Sequence, residues 1–162
     1  MNATITIIKD EHRSMAAVLK GLINHLDEVQ SGREEPDVHL ILAMLDYIQA
    51  FPERLHHPKE DEYLFRFLRL RSQEADGILD ALEAQHVQGV EFLNRLRLQL
   101  EKYRESGNVD AFDKALRDYA EFHFEHMRQE EDLVLPLAEK HLTSEDWQTI
   151  EAAFSVNRDR AW

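Results

Sequence analysis

Ile5, Ile8, His12, Met15, Leu19, Leu22, Leu26 and Val29 follow one another in steps of three and four without a break. That period is helical, and a stripe held over so many turns fixes the fold class before anything else. Three more segments repeat it. The second stripe is Leu42, Leu45, Gln49, Pro52, His56, Glu60, Tyr63, Phe67 and Leu70. The third is Leu79, Leu82, His86, Gly89, Leu93, Leu96, Leu100 and Tyr103. The fourth is Phe112, Leu116, Tyr119, His123, His126, Glu130, Leu133 and Leu137. The expected helices cover about residues 4–30, 36–72, 75–105 and 110–141. Ser31-Gly32 and Ser106-Gly107-Asn108 supply the stops, with glycine as C-terminal cap. Thr143-Ser144-Glu145-Asp146 reads as a capping box that opens a short fifth helix, and about Asn157–Trp162 reads as a loose tail. No segment has strand period, and none reads as a linker. Long amphipathic helices joined by short turns pack as antiparallel neighbours. The expectation is an all-α, antiparallel up-down four-helix bundle with a short C-terminal fifth helix. Residues 1–162 form one domain, with the bundle over about 4–141 and the last helix and tail over about 143–162.

The stripes carry residues that do not belong in a core. His56-His57-Pro58-Lys59-Glu60-Asp61 and His126-Met127-Arg128-Gln129-Glu130-Glu131 share one layout, a histidine and a glutamate four residues apart on one helix face. His12 and His86 occupy stripe positions on the first and third helices. Their levels match as well as their faces. At ~1.5 Å per residue, His86 and His126 both lie roughly 25 Å from the turn that joins their helices. His12 and His56 are nearly equidistant from theirs, and Glu60 and Glu130 each lie one turn further along. Four histidines and two glutamates therefore converge near mid-bundle. Two buried carboxylates facing each other are costly, and no lysine or arginine stands on a stripe to neutralise them. Two bound cations would remove that cost, with the glutamates bridging them.

Composition narrows the chemistry. The chain has no cysteine, so a metal must be held by imidazole and carboxylate, which suits iron, manganese or zinc. A formal net charge of −13 argues against nucleic acid or an anionic membrane as partner. No apolar run is long enough to cross a bilayer. The N-terminus, MNATITIIKDEH, lacks the pattern of a secretory signal, so a cytoplasmic protein is expected. Pro52 and Pro58 interrupt the second helix. They either break or kink it harmlessly, or the kink aims the ligands.

At this point the chain resembles the hemerythrin-like, HHE cation-binding family. The resemblance spans roughly residues 4–141. It rests on Glu11-His12, HHPKEDEYLF at 56–65, Glu83-Ala84-Gln85-His86, and HMRQEEDLVLPLAE at 126–139. It implies a four-helix bundle with a non-haem centre of two iron ions, oxo- or hydroxo-bridged, with manganese or zinc as substitutes. By motif, His12, His56, His86 and His126 would be terminal ligands, and Glu60 and Glu130 would bridge. The oxygen carriers of the family place a second histidine four residues from the one on the third helix. Here those positions are Leu82 and Val90. Their bridging aspartate also lies further from its histidine than Glu130 does from His126. A five-histidine site would therefore need a substitute ligand. His57 is the first choice. With His56 at 0° around the helix, Glu60 falls at about 40° and His57 at about 100°. His123 is the second choice, better placed for outer hydrogen bonding.

The remaining candidates read more plainly. His25, His39 and His141 are off the stripes and expected at the surface, as are Asp61, Glu62, Glu131 and Asp132. Tyr63, Tyr103 and Tyr119 read as core. Gly89, one turn from His86, either admits a small ligand or the first helix, or is a plain packing contact. The resemblance implies that the centre binds a small diatomic ligand, O2 or NO, for storage, sensing or stress response. The alternative is a di-iron redox enzyme, oxidase or peroxide-consuming, or an iron-handling and repair protein. No apolar patch in the pattern argues for a dimer.

Overall fold

The computed structural model describes residues 2–161, with side chains through residue 156. All regular structure among them is helical. The helices are α1 (Ala3–Gln30), α2 (38–71), α3 (Asp76–Ser106), α4 (110–141) and α5 (Ser144–Ala161). The starts of α1 and α2 have a local cause. The Asn2 side chain accepts from the Thr4 and Ile5 amides, and Asp37 accepts from Leu40. Gly32 and Gly107 close α1 and α3 at φ 78° and 76°, a left-handed conformation that costs glycine nothing.

α2 and α4 are not uniform. Gln49–His56 and Glu60–Phe65 in α2, and Glu130–Val134 in α4, are wide π turns with five-residue hydrogen bonds. The His57 amide donates to the Pro52 carbonyl, and the Leu135 amide to that of Glu130. Prolines account for the first and third widenings. Each lacks an N–H, and its ring crowds the carbonyl four residues back. Pro52 lies inside the first wide segment with Pro58 just behind it, and Pro136 lies just behind the third; no proline stands inside or behind the second. Each widening inserts a residue and turns the stripe that follows by about 100°. Beyond Glu60 the buried residues are therefore Leu64, Phe65 and Leu68, whereas Tyr63, Phe67 and Leu70 were expected; Leu70 is 68% exposed. Beyond Glu130 they are Val134, Leu135 and Ala138, while Leu133 faces solvent.

The core is split. One apolar cluster contains Ile5 and Ile8 of α1, Leu64 to Leu68 of α2, Leu79 and Leu82 of α3, and Val134 to Ala138 of α4. The other contains Leu19 to Leu26, Ile41 to Ile48, Leu93 to Leu100 and Phe112 to Ala120. In each of these helices the histidines and glutamates of the expected stripes fall between the two clusters.

α5 is not the short appendage expected. It runs 18 residues, through positions read as tail, and packs on α1 and α2. Trp162 lies outside the described residues. Ile150 and Phe154 are fully buried in the first cluster. The expected capping box is formed: the Asp146 amide donates to Thr143 Oγ1 and the Thr143 amide to Asp146 Oδ2, each at 3.1 Å. Arg71 clamps the same carboxylate from α2 with two hydrogen bonds of 2.8 and 2.9 Å.

One surface expectation is corrected. His25 is buried in the α1–α2 connection. Its Nε2 accepts the Asp37 amide at 3.0 Å, and its Nδ1 faces Glu34 at 3.2 Å. The turn folds back over this side chain, which helix counting alone does not reveal. His39 is exposed and His141 half-buried.

Candidate metal centre

Helices α1 to α4 each send imidazole or carboxylate groups into the gap between the two apolar clusters. His12, His56, His57, Glu60, His86, His126 and Glu130 are all buried there. Their ligand atoms form two groups that could each hold a cation. His57, Glu60, His86 and His126 make one, and His12, His56, Glu60 and Glu130 make the other. Glu60 belongs to both. Its Oε2 lies 3.1 Å from His56 Nε2 and 3.8 Å from His12 Nε2, and its Oε1 lies 3.4 Å from His86 Nε2. Glu130 also spans the gap. It is 3.5 Å from His12 Nε2, 3.9 Å from His86 Nε2, and in close contact with His126 Nε2. The inner nitrogens of His86 and His126 approach to 3.0 Å. His57 stacks on His86 with ring centroids 4.2 Å apart. His123 joins neither group.

The donor set fits a cation. Both oxygens of Glu60, both of Glu130, and Nε2 of His12 and of His56 are buried without a hydrogen-bond partner. An unsatisfied buried polar atom costs about 1–3 kcal/mol, more when charged, and so many lone pairs aimed at one gap need a shared positive partner.

Outer nitrogens of four imidazoles are tied down. His56 Nδ1 donates to Glu11 Oε1 at 2.6 Å, His86 Nδ1 to Asp61 Oδ1 at 2.7 Å, His126 Nδ1 to Gln85 Oε1 at 2.7 Å and His12 Nδ1 to Glu131 Oε2 at 3.3 Å. Such bonds fix ring orientation and leave the inner nitrogen free for a metal. His57 Nδ1 faces Glu53 at 3.7 Å. The Glu53 side chain is itself buried, with the Tyr119 hydroxyl donating to it at 3.4 Å and His123 Nε2 3.7 Å away, within reach of its charge only. Glu11, Glu53 and Gln85 were not singled out as outer partners. Glu11 and Gln85 are sequence neighbours of His12 and His86, and Glu53 lies four residues before His57. That adjacency is a signal that could have found them. Asp61 and Glu131, read as solvent-facing, are part-exposed but hold His86 and His12.

Charge in the metal-free protein follows from this geometry. Burial disfavours protonation of His56 and His86. Glu60 and Glu11 outweigh it at His56, raising its pKa to about 9. Asp61, Glu130 and Glu60 raise that of His86 to about 12. Burial dominates at His57 and drops it to about 3, so this imidazole is neutral and ready to ligate. Burial and Glu60 both oppose the charge on Glu130, but His126 and His12 prevail and hold it at about 2. Glu53, buried between His123 and His57, is also held at about 2.

Phe154 of α5 stands edge-on to His56 at 6.0 Å. On the His12 side a crevice of about 300 Å3 opens between α1 and α4, lined by His12, Ala16, Phe124, Met127, Arg128 and Glu131 among others. Met15, Phe51 and Met127 form a small apolar cluster of their own.

Fold and site together define a class: helical proteins that hold cations between histidines and carboxylates of facing helices. The family model for the hemerythrin HHE cation-binding domain matches residues 3–138, and the chain belongs to that family. No curated protein and no solved structure matches it.

Proposed function

We propose that α1 to α4 form an antiparallel up-down bundle around two iron ions, and that the centre binds a small diatomic ligand. The order of the apolar clusters supports the topology, since it reverses from each of these helices to the next. His57, His86 and His126 would hold one ion, and His12 and His56 the other. Glu60 and Glu130 would lie between them. The observation that carries this reading is the pair of four-residue groups sharing Glu60. Imidazole with carboxylate suits iron, and manganese or zinc could occupy the same donors.

Bound iron would supply an open coordination position and exchangeable electrons. The protein's own part is geometric. Three imidazoles face one group and two face the other, so the His12 and His56 side has room for an added ligand. The crevice leads to that side. Met127 lines the crevice beside Ala16 and Phe124, and Met15 and Phe51 pack against it, an apolar wall that suits O2 or NO.

The test is a titration of anaerobically reduced, iron-loaded protein with NO, followed by absorption. Saturation at one NO per chain with a new charge-transfer band supports the reading. Full iron content with no band overturns ligand binding, and turnover of added peroxide would favour the redox-enzyme alternative.

A further inference from the structure

Of the five imidazoles that face the centre, four have a ring nitrogen turned to an outer carboxylate. The pairs are His56 with Glu11, His86 with Asp61, His12 with Glu131 and His57 with Glu53. Only His126 rests on a neutral group, Gln85. With Glu60 and Glu130 inside, six carboxylates surround the two groups. At His56, His86 and His12 the carboxylate accepts a hydrogen bond from the outer nitrogen and strengthens the inner nitrogen as a donor. Glu53, 3.7 Å from His57 Nδ1, acts through its charge alone. It also adds negative charge beside the metal.

These outer groups are not equal. Glu131 and Asp61 are 34% and 38% exposed, so water and salt screen them. Glu11 and Glu53 are 7% and 5% exposed. Their charges act through a low-dielectric interior. Glu53 has a prepared seat. Gly89 leaves the space its carboxylate fills, and Tyr119 and His123 approach it from α4. No apolar packing need explains a carboxylate in that place.

We propose that Glu53 and Glu11 set the oxidation state of the centre, acting through His57 and His56 to stabilise bound iron as the trivalent ion. They are positioning residues and touch no exogenous ligand. This rests on the di-iron reading and sharpens it. A centre whose ferrous form gives up its electron readily suits sensing or scavenging better than storage.

The experiment is a reductive titration of iron-loaded protein with dithionite and mediators, in which each ferric ion takes up one electron. Iron content and the thermal melt of the metal-free form are measured first for every variant. Glu53→Gln keeps the volume and an acceptor oxygen but removes the charge, and Glu11→Gln does the same at His56. Each should lower the ferric-to-ferrous ratio at a fixed potential at least tenfold, a rise of 59 mV for a one-electron couple. Glu131→Gln and Asp61→Asn should shift it less. Unchanged midpoints in Glu53→Gln and Glu11→Gln at full iron content would overturn the inference while leaving the centre intact. A wild-type protein that loads no iron would remove the di-iron reading and this inference with it.

Discussion

A β-carbon on Gly89 would sit 3.2 Å from Glu53 Oε1 and 3.7 Å from the Phe122 ring. Neither reading of Gly89 from the sequence anticipated this neighbour. The missing side chain makes room for a buried carboxylate of α2. In Gly89→Ala the helix gains about 1 kcal/mol of propensity, and the flexible end of Glu53 must give way by a few tenths of an ångström. Metal-free protein should keep its melting temperature or gain slightly, while the midpoint potential of the iron-loaded form rises, as expected for Glu53→Gln. An unchanged midpoint would show that Glu53 does not act on the centre.

His126→Ala should lose metal and stability together, because metal binding is coupled to folding. His25→Ala is the contrast. It removes the acceptor for the Asp37 amide in the α1–α2 turn, at a cost of about 1–3 kcal/mol, and leaves metal content full. Elemental analysis with thermal melts checks both, and equal metal loss in the two variants would count against the site.

The metal-free fold should weaken as the solution becomes alkaline. The His56 pKa is raised to about 9 from 6.5. Its contribution is therefore complete below 6.5 and lost as pH rises through 9, a change on the order of 3 kcal/mol. His86, raised to about 12, and His12, raised well above 6.5, add losses of the same sign as pH climbs past 6.5. His57, depressed to about 3, acts only below 6.5 and does not enter this window. Urea unfolding at pH 6.5 and 9.5 should show the loss in metal-free protein and little of it in the loaded form, where the metal takes the proton's place. Equal loss in both would contradict the assignment.

At the acid end, Arg71 bonding to Asp146 lowers that carboxyl to about 2. The stability this gives is present above the ordinary aspartate range and lost as pH falls through 2. Asp146→Asn should flatten the acid limb of the unfolding profile between pH 4 and 2 and loosen α5. Unfolding curves of the two proteins that run parallel across that range would show the clamp to be idle.

Helical periodicity placed most of the buried residues of α1, α3 and the first half of α4, though His25 and Glu11 of α1 are buried off the stripe. It failed after Glu60 and after Glu130. The wide turns near Pro52, Pro58 and Pro136 shift the phase, and a fixed period cannot follow them. The meeting of six candidate ligands was legible because His12 and His86 lie on regular helices, His126 precedes the wide turn of α4, and His56, Glu60 and Glu130 sit at the edges of wide turns. His57 was reached by its angle to His56. The outer layer was less visible, since Glu11, Glu53 and Gln85 look like any surface residue until the helices around them are in place. Phe154 was invisible for the same reason: α5 declares its start with Thr143 and Asp146 but not the face on which it docks.

Iron content after anaerobic reconstitution with ferrous salt, gel filtration and elemental analysis bears most directly on the centre. Two iron ions per chain in the wild type, falling in His126→Ala and unchanged in His25→Ala, is the result predicted. A chain that emerges with none, under conditions where it stays folded, would contradict the account.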